Sequence, residues 1–163
     1  MVFPVETIPT FTVLSLFLVH VALMAGVVAV FVILGYAADF YALLLLYYLF
    51  ASFVFGCITA TFISALTTIS KDVVYLMKSV VQMLFWLSPN LWPLSNLHGT
   101  LRKVLMLNPV AYLVEGYRGA LVYDVSFTDQ WMYHLYFWAF MGVFALITAQ
   151  VWTRLRPEFA DVL

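Results

Sequence analysis

Four apolar runs, at about residues 10–34, 40–66, 75–92 and 130–153, leave this chain little choice of fold. Each comes close to or exceeds the roughly 20 residues that a helix needs to cross a bilayer core. In lipid the backbone must satisfy its own hydrogen bonds, and within a single segment only a helix does so. The runs therefore predict an all-α, polytopic integral membrane protein with four transmembrane helices. Composition agrees, because charged residues make up 9% of the chain where a soluble domain carries roughly a quarter. The net charge of −1 offers no basic surface for nucleic acid. Cys57 is the single cysteine, which excludes an intrachain disulfide and a cysteine-based metal site.

The few charges set an orientation. Lys71, Asp72 and Lys78 lie between the second and third runs or at their edge, and Arg154 and Arg156 follow the last. The positive-inside bias places these basic residues, and both termini, in the cytoplasm. Arg102, Lys103 and Arg118 count against it, but they sit in a long, half-apolar connection. The first run is not a signal peptide: no basic residue precedes it, and it exceeds the 7–15 apolar residues of such a segment. A multi-pass protein of the bacterial cytoplasmic membrane is the expected location.

The connection at 94–129 is neither a plain loop nor a fifth span. Ser95 or Asn96 can cap a short helix, and Asn108 with Pro109 then forms the N-cap and N1 pair that readily starts a second. That second helix, ending near Tyr123, is too short and too charged to cross alone. The expectation is a re-entrant helical hairpin on the outer side, at about 95–123, covered by protein. Tyr112, Gly116, Gly119 and Ala120 form a stripe along which another helix can approach closely. Glu115 and Arg118, three apart, can pair on one face. Either the pair satisfies itself, or Arg118 offers its guanidinium fork to a phosphate.

Phe3-Pro4-Val5-Glu6, Ser88-Pro89-Asn90-Leu91-Trp92-Pro93, the block from Leu107 through Asn108-Pro109 to Glu115-Gly116-Tyr117-Arg118, and the tail from Arg156-Pro157 to Leu163 occur in this order. On these four places the chain resembles the permease subunits of polysaccharide-exporting ABC-2 transporters, with the teichoic acid branch nearest and O-antigen permeases next. The resemblance implies a six-span permease of which this chain carries the third to sixth spans, so that an N-terminally incomplete sequence is expected. It also implies a homodimer working with a separate ABC ATPase, and a lipid-diphosphate-linked polymer as cargo. No Gly-x-x-x-x-Gly-Lys motif is present, so no phosphate cradle for ATP is expected on this chain, nor any cofactor or enzymatic activity of its own. Phe3, Pro4 and Glu6 would couple to the ATPase. Trp86 and Trp92 on the third span would stand beside the gate, with Glu115, Tyr117 and Arg118 along the substrate path.

Tyr47 and Tyr48 fall near mid-span, where an interfacial aromatic belt does not account for them. They either pack against neighbouring helices or line the path and stack on sugar rings. His20, mid-span with no carboxylate at helical spacing, is read as an interhelical hydrogen bonder or a proton relay. His98 and His134 form no metal pair, and no catalytic constellation is visible. Two other functions stay open: an ABC-2 exporter of drugs or small lipids, and a truncated remnant that transports nothing.

Overall fold

The computed structural model describes residues 7–35, 43–67, 69–89, 99–123 and 127–160. Helix α1 runs Ile8–Ile33, α2 Leu43–Thr67, α3 Asp72–Leu87, α4 Thr100–Met106, α5 Pro109–Leu121 and α6 Trp131–Ala160, with a 3₁₀ turn at Phe127–Gln130 leading into α6. No strand occurs among the described residues, and the protein is an all-α, polytopic membrane protein.

Three of these helices are long and apolar enough to cross a membrane: Ile8–Ile33, Leu43–Thr67 and Trp131–Leu155, with mean hydropathies of 2.8, 2.1 and 1.6 over their most apolar stretches. At 1.5 Å per residue α1 and α2 reach about 39 and 38 Å, more than the hydrocarbon thickness of about 30 Å. Of α1 only Pro9 is buried, as befits a helix whose solvent is lipid. It ends on Gly35, whose φ of 87° is the left-handed value that closes a helix C-terminus.

The expected third span differs. Its described helix, α3, has 16 residues, about 24 Å, and stops at Leu87. Ser88 precedes a proline, so its backbone is driven to the extended region (φ −87°, ψ 146°) and the helix cannot continue through it. None of the 16 residues is buried.

The core lies between α2, α5 and α6. Tyr48, Ala51, Tyr112, Leu113, Phe137 and Met141 are its buried residues. Helix α5, with 13 residues, is too short to cross a bilayer, yet six of them are buried. Its first turn is capped as the Asn108-Pro109 pair requires, with Asn108 Oδ1 accepting from Val110 N at 3.0 Å. Gly116 is where α2 comes closest: the Tyr48 ring lies against it so tightly that a Cβ there would overlap three ring atoms. The small-residue stripe of α5 is thus the surface on which α2 rests. Expectations resting on Phe3, Pro4, Glu6, Trp92, Ser95, Asn96 and His98 lie outside the described residues.

Candidate functional site

A short helix buried among spanning helices brings polar side chains into a low-dielectric place, where each needs a partner. Around α5 they find partners in two directed chains and one ion pair.

The first chain joins α6, α2 and α5. Trp138 Nε1 donates to Tyr47 Oη at 2.9 Å, Tyr47 Oη lies 3.0 Å from Tyr112 Oη, and Tyr112 Oη lies 2.6 Å from His134 Nδ1. His134 Nε2 is 3.1 Å from the Phe127 carbonyl. Both ends are unambiguous, because an indole N–H only donates and a carbonyl only accepts. His134 must therefore carry its proton on Nε2. With a neutral imidazole, Nδ1 accepts from Tyr112, which in turn accepts from Tyr47. Four donations then run in one direction, from Trp138 to Phe127, and return to α6 one turn from their origin. The Phe127 ring stacks on His134 at 4.0 Å and the Phe137 ring on Tyr112 at 4.5 Å, and His134 and Tyr112 are both buried.

The second chain joins α1, α5 and α2. His20 Nε2 lies 3.1 Å from Tyr117 Oη, Tyr117 Oη lies 2.9 Å from Ser52 Oγ, and Ser52 Oγ donates to Tyr48 O at 2.8 Å. The terminal acceptor again sets the direction: Ser52 gives its proton to a carbonyl, so it accepts from Tyr117, and Tyr117 accepts from His20. Ser52 lies nine residues, about 14 Å, along α2 from Leu43, which measures how deeply α5 reaches into the bundle.

The ion pair faces elsewhere. Arg118 Nη1 meets Glu115 Oε1 at 2.5 Å, and Arg118 Nη2 donates to the Pro89 carbonyl at 3.0 Å. The two side chains are 21% and 13% exposed, open enough to meet a ligand and enclosed enough to act in low dielectric.

The site residues expected from the sequence thus separate. Glu115 and Arg118 come together. Tyr117, two residues on from Glu115 and about 200° around the helix, turns to α1 and α2. Tyr47 and Tyr48 face α5 and α6, and Tyr48 is only 4% exposed. Trp86, on α3, is 65% exposed with its ring edge-on to Phe85. Sequence reading passed over Ser52, the Pro89 carbonyl and the pairing of His134. The i, i+4 spacing of His134 and Trp138 was the one available signal, since it puts a donor and an acceptor on a single face of α6.

Residues 1–122 match the ABC-2 type transporter family. The chain belongs to that family. It is accordingly the permease of an ABC transporter, a membrane-spanning transport subunit rather than an enzyme, of a family that works with an ABC ATPase. No curated protein matches the sequence. The family match covers α1–α5 and so takes in both tyrosines of the hydrogen-bonded chains on α5 and the Glu115–Arg118 pair of the permease.

Proposed function

We propose that this permease exports a lipid-diphosphate-linked cell-surface polysaccharide, a teichoic acid first and an O-antigen or capsule-like polymer next, across the bacterial cytoplasmic membrane. It does so as a homodimer with an ABC ATPase that supplies the energy of ATP hydrolysis. The observation that carries the reading is the Glu115–Arg118 pair, a guanidinium held partly open on a short helix inside an otherwise apolar bundle. A charge is kept in such a place where it serves a substrate or pathway, and a planar fork of donors suits phosphate oxygens. The likeness of residues 107–118 to the polysaccharide-exporting branch supports the same cargo.

In this reading α4 and α5 form the re-entrant hairpin of the outer side. Lys71 and Arg154 mark the cytoplasmic end, where α2 and α6 finish and α1 begins, and Arg102, Lys103 and Arg118 mark the opposite one. ATP binding shifts the dimer between two packings by rigid-body rearrangement. Trp86 lies on the path. Burial favours a positioning role for Tyr47 and Tyr48, and Tyr117 holds α5 to α1.

The test is export in cells whose transporter carries Arg118→Ala. The expected outcome is a loss of surface polymer phosphate with unchanged amounts of permease in the membrane. Equal surface polymer in variant and parent would assign Arg118 to internal pairing and remove the anionic cargo from the reading.

A further inference from the structure

The end of α3 is held by contacts that its own packing does not supply. Along its length α3 buries no residue, and Val73, Met77 and Leu84 are half-buried. At its C-terminus Ser88 and Pro89 are, by contrast, among the most buried side chains of the protein. Two side chains of α5 hold them there. Asn108 Nδ2 donates to Ser88 Oγ at 3.1 Å, and Arg118 Nη2 donates to Pro89 O at 3.0 Å. Each of these α5 residues has a second bond that aims it. Asn108 Oδ1 caps α5 by accepting from Val110 N, and Glu115 Oε1 holds the other guanidinium nitrogen of Arg118. The extended backbone at Ser88 takes Pro89 beyond the helix, so its carbonyl is presented to α5. Helix α5 itself is locked to α1, α2 and α6 by the two hydrogen-bonded chains. The polar contacts at Ser88 and Pro89 therefore join the end of α3 to the group of helices that α5 holds together.

We propose that Asn108 and Arg118 are positioning residues that form a latch on the end of α3, and that a diphosphate drawing the guanidinium of Arg118 away from Pro89 O releases it. The proposal rests on the anionic-cargo reading above and adds what binding does: it turns recognition of the headgroup into freedom of α3. Chemically the exchange is a carbonyl acceptor for a phosphate oxygen at one nitrogen, and the charged acceptor makes the stronger bond. Glu115 keeps the guanidinium oriented throughout. Asn108 continues to hold Ser88, so release is a swing about that remaining contact rather than a detachment.

The experiment measures the distance distribution between spin labels at Met83→Cys on α3 and Leu135→Cys on α6, with Cys57→Ser. It uses the intact transporter with its ATPase in nanodiscs, without nucleotide. The intrasubunit distance of the parent should give one narrow population. Arg118→Ala should raise a second population about tenfold, the change expected from loss of one charge-assisted hydrogen bond. Ser88→Ala should produce a smaller rise, because the Arg118 contact survives. Two probes test the trigger: inorganic pyrophosphate in solution and a polyprenyl diphosphate in the nanodisc. Both should raise the second population in the parent and in Ser88→Ala, and neither should add to it in Arg118→Ala. A response to the lipid alone identifies the headgroup in the membrane as the source. A parent-like distribution in both variants would overturn the latch, and a parent unmoved by either probe would overturn the trigger. Loss of export in Arg118→Ala without a distance change would leave the cargo reading standing and remove the latch. A distance change in Arg118→Ala with normal export would leave the latch and remove the cargo reading, and the diphosphate trigger with it.

Discussion

Replacing Gly116 with alanine probes a close approach between α2 and α5. A Cβ at that position would overlap Cε1, Cζ and Cδ1 of Tyr48. The ring has nowhere to go, because it is 4% exposed and the rings of Tyr47, Tyr112, Tyr117 and His134 all centre within 6.2 Å of it. Overpacking a core costs about 1–3 kcal/mol, and overlap with three ring atoms puts this case at the upper end. Alanine returns about 1 kcal/mol through its higher helix propensity. The net loss should be about 2 kcal/mol. In a Tyr48→Ala background the obstacle is gone, and the same substitution should be neutral or stabilising by up to about 1 kcal/mol. The coupling between the two sites is then about 2–3 kcal/mol, in the upper part of the range for residues in contact. Reversible denaturation in mixed micelles, followed by tryptophan emission, measures all four corners of the cycle. An equal cost of Gly116→Ala in both backgrounds would refute the argument, and so would no cost in the parent.

Tyr47→Phe removes the acceptor of Trp138 Nε1 and the donor to Tyr112 together. Interhelical hydrogen bonds in membrane proteins average about 0.6 kcal/mol each, so a loss of about 1 kcal/mol is expected in the same titration; a variant as stable as the parent would remove the chain's structural role. His20→Leu and Tyr117→Phe should couple by about 0.6–1.7 kcal/mol, and strictly additive losses would show that their 3.1 Å contact carries no energy. Trp86→Ala, at an exposed site, should change stability by no more than about 0.5 kcal/mol while lowering polymer export in cells; undiminished export takes Trp86 off the path.

The helices were legible because lipid imposes a length and a composition, and α1, α2 and α6 carry both without interruption. The start of α5 was legible for a local reason: Asn108 and Pro109 supply the cap and the fixed φ within two residues. The close approach on Gly116 was half legible, since a small-residue stripe announces a neighbour but does not say which ring will cover it. Apolarity alone does not set where the described α3 ends. The run at 75–92 reads straight through Ser88-Pro89, yet the pre-proline residue ends the described helix there. Of the two hydrogen-bonded chains only the interhelical bond of His20 was legible; the rest was not, because each chain needs three helices to arrive together. Tyr47 and Tyr112 are 65 residues apart in sequence, and so are Ser52 and Tyr117. No spacing rule reaches so far. Tyr47 and Tyr48 illustrate the difficulty, since an aromatic near mid-span reads equally well as lining or as packing until its neighbours are in place.

On the export reading, the way Arg118 is already bound sets what kind of binding site it can be. Its guanidinium meets Glu115 and the Pro89 carbonyl, so an incoming phosphate exchanges bonds rather than adding them. A charge-assisted hydrogen bond is worth about 1.5–3 kcal/mol, but exchange yields only the difference between the new acceptor and the old. The Glu115 carboxylate lies close enough to repel a second negative group, which lowers that difference further. A headgroup would therefore be held weakly. A carrier gains from this, because tight retention at one step raises the barrier to the next, and a transporter must release what it recognises. The energy to complete the cycle then has to come from elsewhere, which agrees with a family that works with an ATPase.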